Sequence, residues 1–302
     1  MMILAFAALA LALFSLPLRR LNVAMGIPVF SLLFATLALL GAFFAAILSL
    51  PTLLLCVVGA SLALWLGYLP TLPSWKPLGS LLLALLALTA ALHWWPGIQN
   101  PLLLSAQQLT ADAIPYTLYA NFDKGWAGYC LLLALWPTQL AISRSAHGVV
   151  VSYWQTLWRG LWPAWPVTVL LALALASMLG LIKLAPKWPD FLLLFVFCNL
   201  LLTCVAEEAF FRGLLQRPLQ QHLAARGIHT TTAAWLAIVT VSVLFGVAHF
   251  AGGWAYVLVA TLASLGYGWA YQRSGRLEVA ILAHFGLNLL HLTLFTYPML
   301  IK

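Results

Sequence analysis

Ten long apolar runs fill most of this chain, and they constrain its fold more than any single motif does. They lie near residues 2–18, 27–48, 52–69, 79–95, 126–142, 165–182, 191–211, 231–250, 254–271 and 279–297. A helix that crosses a bilayer needs about 20 mostly apolar residues, and in lipid the backbone must satisfy its own hydrogen bonds, as a helix does. Charged residues make up only 7% of the chain and hydrophobic ones 64%, against roughly 25% charged in an average soluble domain. A water-soluble globule of 302 residues could not cover its surface with so few charges. Disordered, collagen-like and coiled-coil classes fall for the same reason. The expected fold class is all-α: a polytopic integral membrane helix bundle of about ten transmembrane helices, with the lipid bilayer as its surroundings.

The net charge of +8 does not describe a nucleic-acid footprint, because the 14 basic residues are scattered singly or in pairs between apolar runs. No nucleic-acid partner is expected. Scattered loop cations read instead as topology signals. The first run lacks a basic segment before it and is followed by Arg19 and Arg20, the reverse of a signal peptide, so its N-terminus is expected outside. Ten spans then put Arg19, Arg20, Lys76, Arg144, Arg159, Arg212, Arg217, Arg226, Arg273 and Arg276 on the cytoplasmic side. The opposite side receives Lys124, Lys183, Lys187 and Lys302. Ten against four is the asymmetry of a multi-pass protein, here expected in a bacterial cytoplasmic membrane. Cys56, Cys130, Cys198 and Cys204 all sit in apolar stretches without a CxxC pair, as core- or lipid-facing thiols do.

Three regions follow. Residues 1–143 hold N-terminal transmembrane helices of unassigned role. Residues 144–164 form a Trp- and Arg-rich connection of the kind that lies in a membrane interface. Residues 165–302 form the C-terminal core. Within the first region, the polar stretch 96–125 is expected to be an external loop with short structure of its own. Within the core, 213–227 alternates Leu with Gln, Arg and His at helical spacing, as in an amphipathic cytoplasmic helix.

The chain has six acidic residues, and only Glu207 and Glu208 lie inside the apolar segments rather than at their ends or in loops. An ionisable side chain at membrane depth costs about 2.5–3.5 kcal/mol on insertion scales. Arg212 stands four residues beyond Glu208, on the same face of an α-helix, and offers it an ion pair. Glu207 is rotated by about 100° and needs a partner on another helix. His249 ends one late run, while His284, Asn288 and His291 share one face of the last. At 1.5 Å per residue, Glu207 is about 15 Å inward from Arg217, His284 about 12 Å from Arg276, and His249 about 27 Å from Thr231.

No GxSxG, HExxH, GxxxxGK or GxGxxG pattern occurs. The residues at hand still suit hydrolysis. A carboxylate and an imidazole can together take a proton from water, and a second imidazole with an amide can donate to an oxyanion. Two histidines and a carboxylate could instead hold a divalent metal such as zinc, which also activates water. Both routes point to cleavage of an acyl bond, most naturally a peptide bond at or within the membrane.

These residues also fall into three motifs: EExxxR as Glu207-Glu208-Ala209-Phe210-Phe211-Arg212, FxxxH as Phe245-Gly246-Val247-Ala248-His249, and HxxxN as His284-Phe285-Gly286-Leu287-Asn288. The set, in this order on three late apolar segments, resembles the CPBP family, the CAAX prenyl endopeptidases and bacteriocin-processing enzymes. The resemblance covers about residues 165–302. It implies a membrane-embedded protease core there, acting on a membrane-associated or lipid-modified protein or peptide. It also implies that Glu207 activates water with His249 and that His284 and Asn288 line the oxyanion site. Glu208 and Arg212 then support them, Phe245 packs beside the site, and His291 is structural. Two rival readings use the same residues: an ion- or proton-coupled transporter, and a non-catalytic membrane scaffold or immunity protein.

Overall fold

The computed structural model describes residues 1–17, 27–69, 72, 74–145 and 153–301, with 138–145 as backbone alone. Arg19, Arg20, Lys302 and the 146–152 part of the Trp-rich connection lie outside the described residues. Helices α1 (Met2–Ser15), α2 (Val29–Phe44), α3 (Leu50–Tyr68) and α4 (Lys76–Ala91) come first. Strands β1 (Leu102–Gln107) and β2 (Tyr116–Tyr119) pair in a two-stranded sheet. Then follow α5 (Phe122–Ser145), α6 (Tyr153–Leu161), α7 (Ala164–Met178) and one long run, α8 (Leu192–Ala225). Helices α9 (Thr230–Ala248), α10 (Trp254–Ser274) and α11 (Leu277–Leu294) complete the chain.

The protein is therefore mostly helical, as the all-α reading expects, with one small two-stranded sheet beside the helices. Its cause is local. Both strands start directly after a proline, Pro101 and Pro115, which cannot donate to a helix and pushes the residue before it toward extended backbone. Among the described residues, five helical stretches are long and apolar enough to cross a membrane: α3, Tyr153–Met178 (α6 with α7), α8, α9 and α11. Helices α1, α2 and α4 are apolar but shorter, at 14–16 residues. Sequence chemistry sets the ends. Ser49 caps α3 and accepts from the Thr52 amide at 3.4 Å, with Pro51 in the first turn. Asn100 accepts from the Phe122 amide at 2.7 Å where α5 starts. Gly275, at φ 66°, stops α10 in the left-handed conformation that glycine adopts without penalty.

The chain divides into two units. The first holds Met1–Leu102, Tyr119–Ala141 and Leu201–Phe210. In it α1 lies on α2, where Gly41 leaves room for the Ala5 backbone. The buried rings of Phe122, Trp126 and Tyr129 line α5, and Trp126 donates to the Cys56 carbonyl at 3.1 Å. Gly128 of α5 faces Ala206 so closely that a Cβ there would meet the Ala206 Cα at 3.0 Å. Small residues at a helix contact allow this approach in lipid, where packing rather than water exclusion holds helices together.

The second unit holds Leu103–Leu118, Ile142–Leu200 and Phe211–Lys302. Helix α10 is its centre and packs against α7, α9 and α11. Gly266 of α10 sits against Thr168 of α7, and Gly246 of α9 against Thr261 of α10. Short extended segments close one end: Leu184 bridges Phe295, Ala113 bridges Leu300, and Lys183 pairs with Asp112. Tyr116 of β2 meets the ring of Tyr297 at 5.0 Å. The polar stretch 96–125 has the short structure expected of it.

Candidate active site

Helix α8 carries the first motif on an irregular backbone. Two wide π turns, Cys198–Cys204 and Ala209–Gln216, flank the α-helical turn Val205–Glu208. A π turn bonds i to i+5 rather than i+4 and occurs often at functional sites. The α-helical rotation per residue therefore does not carry unchanged from Glu207 through to Arg212.

In the first unit, Glu207 finds its partner on α5. Lys124 Nζ donates to Glu207 Oε1 at 2.6 Å, and the two side chains are only 16% and 14% exposed. Lys124 is the third residue of α5, so the carboxylate lies level with the first turn of that helix. The adjoining Asp123 is fully buried. Its carboxylate accepts from His93 Nδ1 at 2.7 Å, Asn100 Nδ2 at 2.9 Å and the Lys124 amide at 2.8 Å. Glu208 is fully buried.

In the second unit, Arg212 is fully buried. It donates from Nη2 to Ser264 Oγ at 2.6 Å and from Nη1 to Gln216 Oε1 at 3.2 Å, and its guanidinium lies 5.9 Å from the centre of the Phe245 ring. Gln216 in turn donates to the Gly268 carbonyl at 3.2 Å. Phe245 stacks on His249 at 4.6 Å and meets His284 edge-on at 5.7 Å. Tyr267 stacks on the other ring, His284, at 4.6 Å with 13° between planes. The second and third motifs are thus brought together through one phenylalanine.

His249 closes α9. Its Nδ1 donates to the Phe245 carbonyl at 2.8 Å. That bond fixes the tautomer, so Nε2 of the neutral ring is the acceptor. Asn288 Nδ2 donates to Asn199 Oδ1 at 3.2 Å. His291 donates to the Thr296 carbonyl at 3.2 Å and packs on Tyr297, a structural role. On the same helix as His284 and Asn288, Leu282 and Gly286 line an apolar cavity of ≈ 240 Å³ with Trp158, Trp162 and Trp165.

Sequence reasoning missed Lys124, Asn199, Ser264 and Tyr267. Only Lys124 left a signal: a cation in the first turn of a helix opposes the positive end of the helix dipole, so it needs a nearby acid. Among the described residues no three His, Cys, Asp or Glu side chains stand together in a way that could hold a metal ion.

Residues 188–290 match the family model described as type II CAAX prenyl endopeptidase Rce1-like. That stretch contains all three motifs, from Glu207 to Asn288. This segment is similar to the Rce1-like family. No curated protein and no solved structure matches the chain. The matched family is one of proteases, which supports reading the chain as a hydrolase with a protein substrate in a membrane setting.

Proposed function

We propose that this chain is an intramembrane endopeptidase that cleaves a peptide bond of a membrane-associated or lipid-modified protein or peptide. Its ten long apolar runs cross the membrane ten times, and 165–302 is the protease core behind the N-terminal helices of 1–143 and the interfacial connection of 144–164. The charge partition of ten against four supports the crossings. The observation that carries the reading is the ring cluster of the second unit, where Phe245 contacts both His249 and His284, within the Rce1-like segment.

The mechanism assigns each motif residue one step. Glu207 takes a proton from water while Nε2 of His249 accepts its other hydrogen bond, and the resulting hydroxide adds to the scissile carbonyl carbon. His284 and Asn288 donate to the developing oxyanion. Glu207 then returns the proton to the amine nitrogen as the C–N bond breaks, giving a carboxylic acid and an amine. Glu208 and Arg212 hold the helix that carries the base. A buried, bonded arginine serves that role better than lysine because its planar fork makes several bonds at once.

The test uses full-length protein reconstituted in liposomes with farnesylated C-terminal peptides and peptide leaders as probes. Glu207→Gln and His249→Ala are expected to insert normally and to cleave about 10²–10⁴-fold more slowly. Cleavage by Glu207→Gln at the wild-type rate overturns the mechanism. Activity is expected to survive a strong metal chelator; loss that added zinc restores would assign water activation to a metal instead. Glutamate-dependent proton flux without any cleavage would favour the transporter.

A further inference from the structure

Lys124 lies outside the family-matched segment, yet it holds the first acid of the first motif. The pair is short, at 2.6 Å, and both side chains are mostly shielded from solvent. Charge-assisted bonds of this length are the strong ones, and they fix direction as well as distance. A carboxylate acts as a general base only through an oxygen aimed at the water, so whatever fixes its direction bears on the chemistry. Each carboxylate oxygen carries two lone pairs, and the ammonium takes one of them on Oε1.

The lysine is itself held. Asp123 ties the start of α5 to the connection after α4 through His93, Asn100 and the Lys124 amide, at 2.7, 2.9 and 2.8 Å. Asn100 also caps the helix by accepting from Phe122. His93 adopts a left-handed backbone, φ 57°, a conformation that non-glycine residues keep only where their surroundings impose it. These bonds fix the place from which the lysine reaches the glutamate.

We infer that Lys124 is the positioning residue for the Glu207 carboxylate, seated by Asp123, Asn100 and His93, and that the N-terminal helices thereby supply a working part of the active site. The inference rests on the reading of Glu207 as the base. Lys124 does not touch substrate; it acts through Glu207.

The test combines kinetics with a stability cycle on the full-length protein. Lys124→Met is expected to lower kcat about 10–100-fold, the usual loss when a supporting partner is removed, with KM unchanged within about twofold. Lys124→Arg keeps the charge and is expected to restore most of kcat. In thermal unfolding, Lys124→Met and Glu207→Gln each leave one buried charge without its counterpart and lower Tm, whereas the double variant removes both charges and recovers most of the loss. Wild-type kcat in Lys124→Met, beside an inactive Glu207→Gln, overturns the role of Lys124 and leaves the glutamate mechanism standing. Wild-type activity in Glu207→Gln overturns both. Equal losses of kcat in Lys124→Met and Lys124→Arg, with Tm losses that simply add, also overturn the inference.

Discussion

Phe245 meets the rings of Phe211, His249, Tyr267 and His284 and the guanidinium of Arg212. No chemistry passes through it, but it sets where both histidines stand. Each aromatic pair contributes about 0.5–1.5 kcal/mol beyond burial, so Phe245→Leu, which keeps most of the volume, is expected to cost turnover more than stability. Tyr267→Leu removes the ring stacked on His284 and is expected to lower kcat about tenfold, one such contact converted to rate; steady-state kinetics read both. Arg212→Lys retains a charge but gives up the two-nitrogen fork that reaches Ser264 and Gln216, and a drop of Tm in detergent checks it. The motif residues were legible in sequence because scarce polar groups stand out on apolar helices. Tyr267 was not, because an aromatic residue inside an apolar helix has no signature of its own.

At the scale of elements, helix positions were legible and helix geometry was not. The apolar run read as 191–211 and the amphipathic stretch read as 213–227 form a single helix, Leu192–Ala225, because nothing between them breaks it. The π turns inside it left no periodic trace, and depth or facing computed at α-helical spacing fails across them. The sheet was missed because two prolines, rather than any alternation of apolar and polar residues, produce it. Gly128 is the element-level lever on the first acid, since it lets α5 rest on Ala206, the residue before Glu207. Gly128→Val inserts branched carbon against backbone that cannot yield. It is expected to destabilise by about 1–3 kcal/mol and to slow cleavage; unchanged Tm and kcat would mean that α5 does not hold α8 there.

For the whole molecule, the ten-span reading has a direct test. Single cysteines introduced as Asn121→Cys and Gln220→Cys in a cysteine-free background are expected to react with a membrane-impermeant thiol reagent from opposite faces of sealed vesicles; labelling from one face sinks the count. At the closed end of the second unit, bonds from Lys183 and Thr110 hold the Asp112 carboxyl below the ordinary carboxylate range. A depressed acid stabilises fully above its unfolded value, about pH 3.9, and that contribution is lost as pH falls through the lower folded value. Hydrogen exchange across 110–118 and 295–301 is therefore expected to stay slow from neutral pH to about pH 4 and to accelerate below it. The two units do not follow the order of the chain: Leu201–Phe210, with both acids of the first motif, belongs with the N-terminal helices, while Arg212 belongs with the rest of the core. The proposed protease core is thus not a portable module. Cut free and expressed alone, residues 165–302 would retain every letter of the family signature and lose the helix whose lysine and glycine accommodate its first acid. They would form a fragment with a complete consensus and an unfinished interior.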